Sequence, residues 1–394
     1  MQKKTQISIL YLIPYFYPAV NFGGPVSALS SLAKELSKKN FKVTILTTNI
    51  ADKGGTMNER VNFYNGSKII YSKVLLPKFS YSTRLFLSID QLFTGLRLIP
   101  SFDIVHFHDF FIPQYFLMAI YCKFIGKPFF ITPHGSLAFY RQRGKVLLKR
   151  VFYALFAGFL ANNASAIIAV SEHEKRTINN ILPAKRVLCL PNIVIPQHKL
   201  ESINVRKHYG IPKNSKIVLF LSKLDFLKGV EELLDGFVNY LGKDAQNAYL
   251  VLAGPDIGNM VARLTKKIEK HSLKNVVFTG TVDGNLKTAL IQQSNVVCLL
   301  SYTESLPQVI LEATSYKKPV IFTKECNVDS LFLSGGGLLT TRKPNGVSKC
   351  LEKILSDRKY QKETGERAYD WYLREHNPRK SLLAYKDLYE EATK

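Results

Sequence analysis

The segment TESLPQVILEATSYKKPVIFT, residues 303–323, holds two carboxylates at a spacing that chemistry can use. Glu304 stands just after an apolar run that reads as a strand, and Glu312 follows it by eight residues. Ser305 is suited to cap the helix between them, and Pro307 to occupy that helix's first turn. A helix start offers free backbone N–H groups and so favours a diphosphate. Two carboxylates beside it would repel phosphate. They make better acceptors for hydroxyl groups, one for a sugar and one for a ribose. A capped helix with a surface glutamate explains the same residues without any ligand, and this stretch alone leaves both readings open.

The histidines form a second group. His106 and His108 lie two apart in DIVHFHDF, so on a strand they point to one side. Such a pair can hold zinc. No third ligand is evident, so a core or acceptor-side role is expected, with no metal. In open α/β sheets, ligands bind beyond the carboxyl ends of the strands. That rule gathers Gly23, His106, His108, His134, Ser171, Asn192, Lys223, Gly254, Gly280 and Glu304 around one cleft.

The elements that must position these residues alternate. QISILYLI reads as a strand covered on both faces, VSALSSLAKELSKKN as a helix, and FKVTILTT as a second strand, with Gly23-Gly24-Pro25 in the first connection. Further strands are expected at DIVHFHDF, FFITPHG, AIIAVSEHEK and RVLCLPN. Periodicity lapses near residues 193–210, where a linker is placed. A second series follows: KIVLFLSKL, AYLVLAGP, NVVFTG, NVVCLLS and PVIFT as strands, with helical stretches between them. Alternation of this kind predicts parallel, doubly wound sheets. The expected domains are 1–195 and 196–375, with residues 376–394 a C-terminal helix that packs back on the first domain.

The chain has 394 residues, enough for two domains with real cores. Its composition is that of a globular protein, 46% hydrophobic and 21% charged. The net charge of +24 is unevenly spread: residues 1–200 hold 25 Lys and Arg against 8 Asp and Glu, the rest 29 against 22. A basic half attracts anions. The five cysteines are scattered, with no C-x-x-C pair, which suits a reducing, cytoplasmic setting. Pro14 and Pro18 break the apolar run near the N-terminus, so it is read as a buried strand and not as a signal peptide.

In order and spacing, these motifs resemble glycosyltransferase family 4, retaining enzymes of the GT-B fold. The resemblance covers nearly the whole chain. ESLPQVILE is similar to the family's E-x7-E signature, NFGGP to its glycine loop, FDIVHFHD to its D-x-x-H-x-H segment, and TPHGS to its T-x-H-G segment. AVSE, LPNIV, FLSKLDFLKGVEELL, LAGPD and VVFTG follow in the family's order. The resemblance implies an α/β protein with two Rossmann-like domains facing a central cleft. It implies a retaining hexosyl transfer from a UDP- or GDP-sugar used as substrate, with no cofactor and no metal.

Residue by residue, the resemblance implies that Glu312 binds the ribose, Glu304 the donor sugar and Lys228 the diphosphate. Lys223, Ser305, Leu306 and Pro307 complete the donor side, and Gly23 and Gly24 let backbone approach the phosphates. His134 lies beside the reacting centre, which makes His134, Glu304 and Lys228 the catalytic candidates. His106, His108 and Asn192 are acceptor-side candidates. Three positions depart from the pattern. Lys223 replaces an arginine, which keeps charge but loses the bidentate fork. Lys317 replaces a common glycine, and Cys326-Asn327 occupies a loop often rich in glycine.

The expected acceptor is a saccharide, lipid-linked, in surface polysaccharide, lipopolysaccharide or other glycoconjugate assembly. Two basic, aromatic-rich segments, RQRGKVLLKRVFYALFAGFL and PKFSYSTRLFLSIDQLFTGLRLIP, fit an anionic membrane surface. Such a protein would be peripheral on the inner face of the plasma membrane. The same faces packed as helix core are an equal reading. A sugar-nucleotide epimerase on the same fold and a non-catalytic nucleotide-sugar-binding subunit stay open as alternatives. No nucleic-acid motif is present.

Overall fold

A computed structural model describes residues 6–137, 153–197, 203–242 and 247–394, the side chains of Lys53 and Ala154 excepted. The chain divides into two compact units, Met1–Ile193 with Arg379–Lys394, and Val194–Pro378. The short helix Val205–Tyr209 stands within the stretch expected to be linker.

The first unit's sheet contains β1 (Ile7–Leu12), β2 (Phe41–Thr48), β3 (Val61–Tyr64), β4 (Ser67–Ser72), β5 (Ile104–His108), β6 (Phe129–Thr132), β7 (Ala166–Ala169) and β8 (Val187–Cys189). Among the described residues their order is β3-β4-β2-β1-β5-β6-β7-β8. Only β3 runs antiparallel to its neighbour. The centre of the sheet is read from apolar runs: Ile9, Leu10, Tyr11 and Leu12 are wholly buried, as a strand covered by helices on both faces requires. The β3–β4 hairpin is not foreseen by the sequence reading, because Val61 and Phe63 face outward. Its turn, Asn65-Gly66, has both φ values positive, the geometry that an Asn-Gly pair serves in two-residue hairpins.

The C-terminal helix Pro378–Ala392 belongs to this first unit. Leu382, Tyr385, Leu388 and Tyr389 bury one face of it in the unit's core. The Tyr389 hydroxyl lies 3.0 Å from that of Tyr11 on β1.

The second unit's sheet contains β9 (Lys216–Leu221), β10 (Ala248–Ala253), β11 (Val276–Gly280), β12 (Val296–Leu299), β13 (Val320–Phe322) and β14 (Gly337–Leu339). Among the described residues the order is β11-β10-β9-β12-β13-β14, all parallel. This is the doubly wound order, whose ligands bind beyond the strands' carboxyl ends where the winding reverses, here between β9 and β12. The five cysteines are free thiols.

Candidate active site

In the second unit, two glycines let the loop after β9 pack closely, one against the end of β12 and one against the end of β10. Gly229 has φ +67, and a Cβ there would collide with the Leu300 carbonyl. Gly254, at φ +147, would place a Cβ on the Ser222 carbonyl. Without side chains at these points, the 3-10 turn Phe226–Lys228 packs against the end of β12, and the Tyr302 N–H donates to Leu227 O at 2.9 Å. Asp225 caps the turn through the Leu227 N–H.

That packing brings Lys228 to Glu304. Lys228 Nζ donates to Glu304 Oε1 at 2.5 Å, and Ser301 Oγ donates to the same oxygen at 2.8 Å. The Glu304 backbone is pinned on both sides: its N–H donates to Glu325 O at 3.0 Å, and its carbonyl accepts from Asn327 Nδ2 at 2.6 Å. Asn327 takes φ +56, a conformation asparagine tolerates, so the expected departure from a glycine-rich loop is accommodated by this residue type. Arg342 holds Glu325 through two bonds and lies over the Tyr302 ring at 4.0 Å. Its guanidinium keeps the Glu325 carboxyl below the ordinary range.

Glu312 lies on the helix Gln308–Ser315 and pairs with Lys287 at 2.6 Å. Both carboxylates therefore hold a lysine in the free chain. The expected cap is corrected. Ser305 precedes the helix in a bend, and Pro307 fills the N-cap position with φ −73 and ψ 113, supplying no side-chain acceptor. Proline cannot cap through a side chain, and its extended ψ starts the helix two residues later than a cap at Ser305 would. Leu306 is buried between them. Lys317 takes φ +57 after this helix, the conformation that a glycine there would adopt without strain, and pairs with Glu366 at 2.7 Å. Lys223 lies two residues past β9, half-buried.

The first unit's candidates are of another kind. His106 and His108 face one side of β5, ring centroids 4.6 Å apart. His106 is fully buried, its Nδ1 2.7 Å from Tyr389 Oη and its Nε2 2.8 Å from Thr132 Oγ1. In this structure it is a core residue, a correction to its acceptor-side placement: both ring nitrogens are spent on the protein. His108 Nδ1 lies 2.7 Å from His134 Nε2, with the rings stacked. Burial pushes His106 down to about 3 and His134 to about 4, and holds His108 well below the ordinary range. These rings are neutral at physiological pH.

His134 sits just past β6 at φ +51, followed by Gly135 at φ +80. Glu174 straps this turn: it accepts from the Gly135 N–H at 2.5 Å and the Val170 N–H at 2.8 Å. Burial raises its carboxyl to about 7, against the opposing pull of those two bonds. The sequence reading missed Glu174, although Ser171 and Glu174 spell the S-x-x-E of a capping box. Ser171 caps the helix Glu172–Ile181 through the Glu174 N–H, but the glutamate reaches past its own cap to the neighbouring loop. Ser301, Lys287 and Arg342 were also missed; Ser301 pairs locally with Glu304, while the pairings of Lys287 and Arg342 span the sequence and are visible only in the folded chain.

Gly23, at φ +85, precedes the helix Gly24–Ser37, and a Cβ on Gly24 would meet open space. Asn192 is half-buried in the extended segment after β8. Among the described residues, no hydrogen bond ties either to the histidines.

Two doubly wound α/β units, with carboxylates and lysines at the strand ends of the second, define the GT-B fold. Residues 22–198 match the profile described as Glycosyltransferase Family 4, and residues 201–371 that described as Glycosyl transferases group 1. The chain belongs to glycosyltransferase family 4. It is 22% identical over 379 residues to N-acetyl-α-D-glucosaminyl L-malate synthase of Bacillus anthracis, covering 95% of this chain and 94% of that one. It is 26% identical over 250 residues to a Campylobacter jejuni α-1,4-N-acetyl-D-galactosaminyltransferase whose name specifies a PP-undecaprenol-linked saccharide, over 61% and 62% of the two chains. Among solved structures, Anabaena HepE in complex with UDP and glucose matches with a TM-score of 0.75 at 15% identity, over 97% of this chain and 99% of that one.

Proposed function

We propose that the chain transfers a hexosyl group from a UDP-sugar to a hydroxyl of a lipid-linked saccharide, with retention at the anomeric carbon and without a metal. The observation that carries this reading is the pair of lysine-held carboxylates, Lys228–Glu304 and Lys287–Glu312, beyond β12. A ribose hydroxyl donates to Glu312 and a sugar hydroxyl to Glu304. Lys228, turned from Glu304 to the diphosphate, meets the charge that develops as the anomeric C–O bond breaks. The acceptor oxygen bonds to the same face, and its proton passes to the departing phosphate oxygen.

HepE's complex with UDP supports the nucleotide. The Campylobacter relative supports the lipid carrier, and the names of both relatives specify α linkages. From an α-linked donor, an α product means retention. Transfer from radiolabelled UDP-sugars to an undecaprenyl-diphosphate saccharide, with NMR of the new linkage, tests the reading. It expects an α product and a rate unchanged by EDTA; a β product or loss of the rate in EDTA contradicts it.

The first unit offers a surface for the membrane. Leu76, Phe79, Ile89 and Phe93 are 71%, 51%, 57% and 66% exposed, with Lys73, Lys78 and Arg84 exposed nearby. The other basic candidates, Arg141, Arg143, Lys145, Lys149 and Arg150, lie outside the described residues. Among the described residues, no helix is long and apolar enough to cross a bilayer. Flotation with anionic vesicles is expected to carry the chain upward at low salt and to fail for a Leu76→Ser, Phe79→Ser, Phe93→Ser variant. Equal flotation of both forms would contradict this role.

A further inference from the structure

The ring of His134 is held from two directions, and the second direction decides what the ring can do. Glu174 fixes the backbone through the Gly135 N–H. His108 grips the ring itself, with Nδ1 2.7 Å from His134 Nε2 and the two rings stacked 5.0 Å apart at 23°. With both rings neutral, one proton occupies that bond, and either histidine can supply it.

The surroundings of His108 distinguish the two arrangements. Its Nε2 is buried and has no hydrogen-bond partner among the described residues. Were His134 the donor, His108 would accept at Nδ1 and would have to carry its own proton on Nε2. That proton would be a buried N–H with nothing to receive it. Were His108 the donor, Nε2 would be a bare lone pair. Orphaned buried N–H groups are the rarer of these two defects in native proteins. The ring of His108 cannot turn to escape the choice, because it packs between His106 at 4.6 Å and Tyr11 at 5.4 Å. His106 is in turn anchored by Tyr389 and Thr132.

We propose that His108 is a positioning residue that holds His134 as its Nδ1–H tautomer, so that His134 meets its ligand as a neutral hydrogen-bond donor and not as a base. His134 accepts from His108 at Nε2. With Nε2 of this half-buried residue engaged by His108, Nδ1 is the nitrogen left for a hydroxyl or ring oxygen. That this oxygen belongs to the donor sugar rests on the function proposed above; the tautomer does not. A neutral donor suits a group that orients a sugar, and it leaves the acceptor's proton to the departing phosphate. Through Tyr11, Tyr389 and His106, the C-terminal helix Pro378–Ala392 supports this arrangement from behind.

The test is long-range proton–nitrogen correlation on the full chain labelled with nitrogen-15 histidine, near pH 7.5, with His108→Asn and His108→Leu for comparison. His134→Asn serves for assignment, since asparagine tolerates positive φ. The expected wild-type spectrum shows His134 protonated at Nδ1 and bare at Nε2, and His108 the same. The His108→Asn substitution sets a side-chain amide N–H where Nδ1 stood, so this variant keeps the His134 tautomer. His108→Leu loses it and moves the proton to Nε2. A merely structural role for His108 would give His134 one tautomer in both variants, which overturns the proposal. Nε2–H or a doubly protonated His134 in the wild type also overturns it, whether or not the variants fold. UDP-glucose is then added. Movement of the His134 Nδ1 resonance is expected, and its failure to move contradicts the donor assignment alone, because the tautomer is read on the free chain.

Discussion

The two units prepare their chemistry in opposite ways. In the second, the candidate side chains are held in ion pairs: Lys228 with Glu304, Lys287 with Glu312, Arg342 with Glu325. In the first, the candidate His134 and the rings behind it are neutral and held by uncharged bonds: His108 to His134, and His106 to Tyr389 and Thr132. The difference teaches where flexibility resides. A partly exposed ion pair exchanges partners readily, because water and a ligand can replace either member. A buried ring such as His106, with both nitrogens engaged, cannot move without leaving polar atoms unpaired. The charged unit is thus suited to a ligand that arrives and departs with charge, and the neutral unit to holding one fixed orientation.

The largest expected effect tests the charged side of this contrast. Lys228→Ala removes the cation proposed to meet the leaving diphosphate, and turnover should fall by roughly 10²–10³-fold, the scale of losing a charge-stabilising donor. Steady-state transfer rates check it; a rate within twofold of wild type would mean that Lys228 only neutralises Glu304.

The neutral side is tested through pH. The carboxyl of Glu174 is raised from its ordinary 4.5 to about 7, so between these values the folded chain binds more protons than the unfolded one. The stability it contributes is full below 4.5 and is lost as pH rises through 7, by an amount on the order of 3 kcal/mol at most. The histidines act in the opposite sense. Their folded values are lowered, so their contribution is full above about 6.5 and is lost as pH falls toward 4 and 3. Urea midpoints from pH 4.5 to 8 should show the Glu174→Gln variant losing the decline on the alkaline side while keeping the acid-side loss. An unchanged alkaline slope would remove Glu174 from the account.

A smaller effect is expected from Glu312→Ala. Losing the proposed ribose acceptor should weaken UDP binding about tenfold, a change of about 1.4 kcal/mol, with little change in turnover at saturating donor. A fall in turnover with unaltered affinity would instead place Glu312 at the reacting centre. The smallest is Arg186→Ala, which cuts an exposed two-bond ion pair to Glu391 on the C-terminal helix. Its melting temperature should be indistinguishable from wild type, because Tyr389 and its apolar neighbours hold that helix. A clear drop would show that charge, and not burial, docks the helix.

Strands of the two sheets were legible because continuous apolar runs such as Ile9–Leu12 and Ile217–Leu221 can only be buried strands or helix cores, and their length and flanking turns decide. β14 escaped notice because it has three residues and begins at Gly337. Glu304 and Glu312 stood out as candidates through the E-x7-E spacing, and Lys228 through the resemblance of FLSKLDFLKGVEELL to a family segment. The pairings were not. Nothing local in His108 points to His134, nor in Lys287 to Glu312, because each contact is made by neighbouring elements that only the folded sheet brings together. The cap misjudged at Ser305 has the same origin: serine before a helix is a good cap only where the chain turns at that residue, and here Pro307 delays the turn.

Calorimetric titration with UDP in EDTA tests the central claim most directly, on the wild type, Glu312→Ala and Lys228→Ala. The account predicts saturable binding to the wild type without metal, weakened in both variants. Binding that needs a divalent cation, or that neither substitution alters, would contradict the assignment of these two ion pairs as the seat of the nucleotide.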